Sequence, residues 1–303
     1  MTIRFDRPVS RAARLSRRVG AFSFVLCLAV LLAHRFGPLE TPYLVLLLLV
    51  SAGFAALASV LAVLGLNRLW MVGAIGGIDA FKALVYATLP LAIFAFGAAR
   101  YVVRPTIYDV STDLVDAPSW LVPPHADQIW LTRDPNIGPE SREAQAAAYP
   151  GLTGRRYDGA IDRVLEAVKK VAAENRITIV KTEGADERGR DLEDVPVKPQ
   201  PNEGAVRDAP PDIVPIPEPR PYQDAVADMI RGSTDATLQG QTRTLILGLE
   251  FDIIIRLREE AETTLVDVRA ASRYGPHDLG FSAEIAENYL KALDAELLGI
   301  AGG

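Results

Sequence analysis

The chain has 303 residues and a formal net charge of −6, and that average joins two unlike segments. Residues 1–104 hold 11 Lys and Arg against 3 Asp and Glu, while the remainder holds 21 against 35, the pattern of a basic, apolar membrane anchor followed by an acidic, water-soluble domain. An acidic domain with no basic stripe interleaved with aromatics repels phosphate backbones, so no nucleic acid is expected as a partner; the only cysteine, Cys27, lies in the first apolar run, which leaves the soluble part no internal disulfide and no thiolate zinc site.

The first apolar run is Val19–Ala33, extendable to Phe36 if His34 and Arg35 snorkel to the headgroups. Arg4, Arg7, Arg11, Arg14, Arg17 and Arg18 precede it. A cleaved signal peptide has the same outline, but no small-x-small site follows Ala33 and a second run begins almost at once, which favours a retained anchor. The second run, Pro42–Leu66, is long enough to cross hydrocarbon with some tilt. Its Ser51, Ala55 and Ser59 recur every four residues and would let another helix approach closely, either one of the chain's own or one from a partner subunit. The third run carries Pro90, expected to kink it, and is preceded by Asp79 and Lys82, read as interfacial. The glycine-rich Trp70–Ile78 stretch reads as an interfacial connection.

The sequence thus predicts an anchor over 1–104 with transmembrane helices at about 19–36, 42–66 and 81–99. Six N-terminal arginines place the N-terminus in the cytoplasm, and three spans then carry the C-terminal domain to the other side; Arg100 and Arg104 oppose this but are outnumbered. The expected setting is a multi-pass protein of the bacterial inner (cytoplasmic) membrane with a periplasmic domain.

Residues 105–303 are expected to form that domain. Ile107–Thr112 reads as a short extended segment and Pro118–Pro124 as an irregular loop carrying Trp120. Asp158 is a candidate N-cap for a helix whose apolar face is Ile161, Val164, Leu165, Val168 and Val171, and Arg176–Thr182 follows as a strand. Residues 183–221 are rich in Pro, Asp and Glu and are expected to be a disordered insertion. A helix near Tyr222–Ile230 precedes strands around Asp235–Leu247, Leu249–Arg258 and Thr263–Ala270. A last helix, about Ala283–Leu298, is expected to be capped by Ser282 and to bury Ile285, Tyr289 and Leu293. The fold class is α+β: three transmembrane helices, then a mainly antiparallel sheet flanked by helices.

Three motifs stand out: Tyr108-Asp109-Val110-Ser111-Thr112-Asp113; Phe251-Asp252 with Ile253-Ile254-Ile255-Arg256; and Val266-Asp267-Val268-Arg269-Ala270-Ala271-Ser272-Arg273-Tyr274-Gly275 followed by Asp278-Leu279-Gly280. With them residues 106–298 resemble the bacterial and plastid family called domain of unknown function 1499. The chain departs from that pattern at Ala270, where the family has Ser, and at Ser282, where it has Asn. The resemblance implies a membrane or envelope setting and supplies no reaction.

No HExxH helix, phosphate-binding glycine loop, GxSxG elbow or paired-cysteine site is present, so no catalytic residue, metal or cofactor is expected. Ser272, His277 and Asp278 suggest a triad, but residues so close in sequence rarely align as nucleophile, base and orienter. The informative group is Asp252, Arg256, Asp267, Arg269, Arg273 and Asp278. If Arg258 pairs with Thr263 across a tight turn, Asp252 faces Arg269 and Ile254 faces Asp267, while Phe251, Ile253, Ile255, Val266 and Val268 share the buried face. Either these charges form an ion-pair ladder that fixes register and anchors the Ser272–Gly280 loop, or the arginines and Ser272 receive an anionic ligand; acid/base catalysis by Asp252 or Asp267 ranks third, because a carboxylate beside Arg is normally held ionised. The expected function is a non-catalytic one: binding or scaffolding an envelope protein or anionic small ligand, with the lipid bilayer as a further partner. A hydrolase or transferase acting on an envelope component is the alternative.

Overall fold

The computed structural model describes residues 9–124, 126–184 and 235–299. Arg4, Arg7, His125, most of the expected insertion at 183–221 and the expected helix at Tyr222–Ile230 lie outside the described residues.

Three helices come first: α1 (Arg11–Phe36), α2 (Thr41–Val72) and α3 (Gly77–Val103), each long and apolar enough to cross a membrane. In lipid, apolar surface gains little by meeting apolar surface, so such helices hold together through close backbone approach and hydrogen bonds. The contact residues are accordingly small: Ala13, Ser16, Gly20, Ser23 and Cys27 on α1 are buried, as are Ser51, Ala55, Ala58 and Ala62 on α2. A Cβ on Gly20 would stand 3.0 Å from the Ala83 carbonyl oxygen of α3, so a larger residue would push the two helices apart by a few tenths of an ångström. The Ser23 hydroxyl donates to the Ser51 carbonyl at 2.8 Å, and the Ser51 hydroxyl returns the bond to Ser23 at 2.9 Å. The small-residue stripe on α2 is therefore spent on the chain's own bundle, with Ser59 at its half-buried margin.

The helices overrun the apolar runs that announce them. α2 continues through Trp70 and ends only at Gly73, whose φ of +64° suits a residue without a side chain. The Trp70–Ile78 stretch is therefore mostly helical, apart from a short link before α3. Pro90 stays inside α3, and Asp79 at its start pairs with Arg17 at 2.8 Å across the N-terminal end of the bundle.

The second part is an antiparallel sheet covered on one face by helices. Its elements are β1 (Asp109–Ser111), α4 (Pro139–Ala148), β2 (Arg155–Asp158), α5 (Ile161–Glu174), β3 (Thr178–Glu183), β4 (Ala236–Arg243), β5 (Glu250–Glu259), β6 (Thr263–Ser272) and α6 (Phe281–Leu298). The strand order is β1-β6-β5-β4-β3, with β2 lying beyond β1 along the same edge of β6. Alternation along β4, β5 and β6 sends Leu238, Ile253, Ile255, Val266 and Val268 to one face. There they meet Val164, Val168 and Val171 of α5 and Ala286, Tyr289 and Leu293 of α6. Burying each such branched apolar side chain contributes about 1.5–3 kcal/mol, so this single core holds the domain.

Three expectations need correction. Asp158 lies in β2, and the position before α5 is Ala160, with no side-chain cap. Ser282 is inside α6; Asp278 caps that helix, accepting from the Gly280 N–H at 2.7 Å and the Ser282 N–H at 2.8 Å. The β5–β6 register differs by two residues: Asp252 faces Ala271, Ile254 faces Arg269 and Arg256 faces Asp267. The hairpin closes at Glu260, whose N–H donates to the Thr263 carbonyl at 2.8 Å, leaving only Ala261 and Glu262 in the turn. That tighter turn extends the ladder beyond Arg258. A shift of two leaves every side chain on its expected face but changes every partner.

Candidate functional site

The face of the sheet away from α5 and α6 carries Asp252, Arg256 and Arg258 of β5, Asp267 and Arg269 of β6, Gln239 of β4 and Asp109 of β1. Residues 113–124 and 126–133 cross this face and are bonded to it at several points. Gln239 clasps the backbone of Val122 in both directions, at 2.9 and 2.7 Å. The Arg269 guanidinium donates to the Pro118 carbonyl at 2.8 Å and lies 4.9 Å from the centre of the Trp120 ring. Arg133 donates to the Ser272 carbonyl.

The charges beneath this cover fall into three groups. In the first, Asp267 accepts from Arg258 at 2.7 Å and Arg256 at 3.1 Å, and its other oxygen meets the Thr112 hydroxyl at 3.2 Å. Asp113 joins both arginines at 3.2 and 3.3 Å, and Asp116 meets Arg256 at 2.8 Å. Burial tends to raise the Asp113 carboxyl, but the N–H groups of Asp116 and Val115 and the two guanidiniums outweigh it, so its pKa is lowered.

In the second group Arg269 meets Asp109 through Nε, at 2.9 and 3.1 Å to the two carboxylate oxygens, and Arg142 of α4 meets the same carboxylate at 3.2 Å. Burial raises the Asp109 carboxyl against the pull of both arginines. Gln145, one turn along α4 from Arg142, donates to the Ser111 carbonyl at 2.6 Å and accepts from its N–H at 3.1 Å, so α4 grips the edge strand β1. In the third group Arg273 holds Asp252 in a two-pronged pair, 2.8 Å on each prong, and reaches Glu250 at 2.9 Å. The hydrogen bonds to Asp252 raise the Arg273 guanidinium pKa further above its ordinary value.

Of the residues singled out from sequence, Asp252, Arg256, Asp267, Arg269 and Arg273 are thus brought to one face, though not as one linear ladder: Asp252 pairs with Arg273, and Arg269 with Asp109. Ser272 and Asp278 stand apart. The Ser272 hydroxyl donates to the Tyr274 carbonyl at 3.0 Å within the turn after β6, and Asp278 caps α6. Burial raises the Asp278 carboxyl, opposed by its bonds from Ser282 and Gly280. His277 is also committed elsewhere. Its Nδ1 accepts from the Leu279 N–H at 2.8 Å, which leaves Nε2 to donate toward the Tyr101 and Arg104 carbonyls at 3.1 and 3.2 Å. The suggested Ser272–His277–Asp278 triad is not assembled.

Sequence reasoning missed Asp109, Asp113, Arg133, Arg142, Gln145 and Gln239 as members of this network. Asp109 and Asp113 sit in the first of the three motifs, and that was their only signal. Arg142 and Gln145 lie on a helix with a single buried residue, Gln145, so no apolar period betrays it.

No curated protein and no solved structure matches the chain. The first motif, Tyr108–Asp113, precedes the segment recognised by a family model, and the other two lie within it. That model, described as a protein of unknown function (DUF1499), matches residues 130–293, more than half of the chain, and the chain belongs to this family.

Proposed function

We propose that the protein is a membrane-anchored component of the cell envelope, with an anchor over residues 1–104 and an outer domain over 105–303 that binds or scaffolds an envelope partner without catalysing a reaction. One observation carries this reading: each carboxylate buried in the polar face is held by its own arginine or pair of arginines. A carboxylate so held is committed to its partner and is a poor general base, and a guanidinium so held has few donors left for a substrate. Burial raises the Asp109 carboxyl, but it lies beneath Arg269 and Arg142, and it lines neither cavity at the junction of domain and bundle. The covered, paired face supports a structural platform. A hydrolase or transferase would call for convergent uncommitted groups in a pocket. On the polar face the Nε atoms of Arg256 and Arg258 are buried without a partner, but both guanidiniums are held through their terminal nitrogens by Asp113 and Asp267, and neither lines a cavity at that junction.

The full-length chain, captured from detergent-solubilised membranes with bound lipids and proteins identified together, is expected to retain an envelope component in near-stoichiometric amount and leave it chemically unchanged. Conversion of an envelope lipid or glycan by the purified chain would overturn the reading.

A further inference from the structure

Two adjoining cavities lie where the domain meets the bundle. The larger, about 540 Å³, is apolar and runs between Ala92, Ile93 and Phe96 of α3 and Ile177, Ile285 and the β4–β5 turn. Its volume is within the range of pockets that enclose small ligands. The smaller, about 310 Å³, is polar and includes Arg35, Arg176 and Arg243; Thr242 and Arg243 line both. The β4–β5 turn exposes Leu245 (68%) and Ile246 (81%), and its Gly248 lies against the side chains of His34 and Arg35 at the end of α1.

The levels of these groups match a bilayer that contains α1 and α3. Ala92, Ile93 and Phe96 belong to the apolar run of α3, so the larger cavity opens at hydrocarbon depth. Arg35 ends the apolar run of α1, at the depth of headgroups. The carboxylates that line the two cavities are engaged: Glu284 meets Arg100 at 2.5 Å, and Glu250 meets Arg243 and Arg273. Arg35 and Arg176, by contrast, have no ion-pair partner among the described residues. Arg176 also holds a φ of +58°, a left-handed conformation that glycine adopts at lower cost. Apolar volume at hydrocarbon depth, joined to uncommitted cations at headgroup depth, is the complement of an anionic amphiphile.

We infer that an anionic glycerophospholipid of the surrounding bilayer binds here, with an acyl chain in the larger cavity and its phosphate at Arg35 and Arg176. The inference rests on the reading of the domain as a binding module and names what this place on it binds.

The test uses the full chain in mild detergent, equilibrated with mixed micelles of phosphatidylglycerol and phosphatidylcholine, with the retained lipid counted by native mass spectrometry. Wild-type protein should retain phosphatidylglycerol with a preference of about tenfold, the factor that one charge-assisted contact supplies. Replacing both cations, Arg35→Gln with Arg176→Gln, should erase the preference. Ala92→Trp, which places an indole where α3 borders the cavity, should lower retention of both lipids. Equal retention of the two lipids by the wild-type chain overturns the inference without any variant, as does displacement of the lipid by millimolar glycerol 3-phosphate, which would mark an anion site that takes no acyl chain. A captured protein partner with no retained lipid would sink this inference and leave the proposed function standing. Chemical conversion of the lipid would do the reverse.

Discussion

Asp252 and Arg273 are the most consequential pair at the scale of single residues, because both side chains are buried or nearly so, 2% and 15% exposed. Removing Arg273 leaves the Asp252 charge in a setting that cannot solvate it, at a cost of about 3 kcal/mol; removing Asp252 leaves Arg273 with Glu250 alone and should cost less, and removing both should recover part of the loss. In urea unfolding of the full chain in detergent, followed by tryptophan fluorescence, Asp252→Asn and Arg273→Met should each destabilise the domain and show strong coupling. The same cycle run between Asp252 and Arg269 should be additive to within about 0.5 kcal/mol. Coupling between Asp252 and Arg269 would instead restore the register expected from sequence and contradict the one described. Asp113 offers a pH test of the neighbouring group. Its folded-state pKa lies below its unfolded value, so the stability it contributes is present above the unfolded pKa of about 3.9 and is lost as pH falls through the folded value. The difference in melting temperature between the wild-type chain and Asp113→Asn should therefore be full near pH 7 and close progressively below about pH 4. A gap that does not narrow with acid would show that Asp113 gains nothing from Arg256 and Arg258.

Among the elements, α6 depends on a cap that its sequence hides. Asp278 lies three residues before the first residue of the helix and satisfies the N–H groups of Gly280 and Ser282, while Gly280 takes a φ of +75° to turn the chain into the helix. Asp278→Ala should cost about 2 kcal/mol, the upper end for loss of a capping side chain because both oxygens are used. Hydrogen exchange should quicken first at the start of α6; unchanged protection there would show that the helix is held by its packing alone. The same contrast explains what could be read from sequence. Strands β4, β5 and β6 and the apolar faces of α5 and α6 were legible because alternation and helical spacing are imposed by one shared core. The partners on the polar face were not, since two registers two residues apart give identical patterns and differ only in the turn, Ala261–Glu262. The helix α4 and strand β2 escaped for a related reason: they fasten β1 and β6 through Arg142, Gln145 and Arg155–Val266 pairing, with little apolar period of their own.

Over the whole molecule, the bundle and the domain meet at one end only. Arg17 and Asp79 pair at the opposite end, beside the start of α1, whereas Arg100 donates to the Leu279 carbonyl at 2.6 Å and both Arg100 and Arg104 pair with Glu284 of α6. This bears on orientation. Arg100 and Arg104 are the two charges that oppose an outward C-terminus, but with Glu284 as a shared partner, and with Arg100 also stacked on Phe281 at 4.2 Å, they act as docking groups for the domain. The arginines at the start of α1 have no such employment beyond the Arg17–Asp79 pair among the described residues, so the charge bias that sets topology rests with them. We expect the N-terminus in the cytoplasm and the domain outside it. Alkaline phosphatase joined after Gly303 should be active, since that enzyme matures only in an oxidising compartment, and green fluorescent protein at the same place should be dark. Replacing Arg11, Arg14, Arg17 and Arg18 together by Gln should weaken the bias and give a mixed population. The reciprocal change, Glu284→Gln, should loosen the docking of α6 on α3 without altering reporter activity, because topology is decided as the spans insert and docking only after the domain has folded. Fluorescent reporter with inactive phosphatase in the unmodified chain would invert the topology.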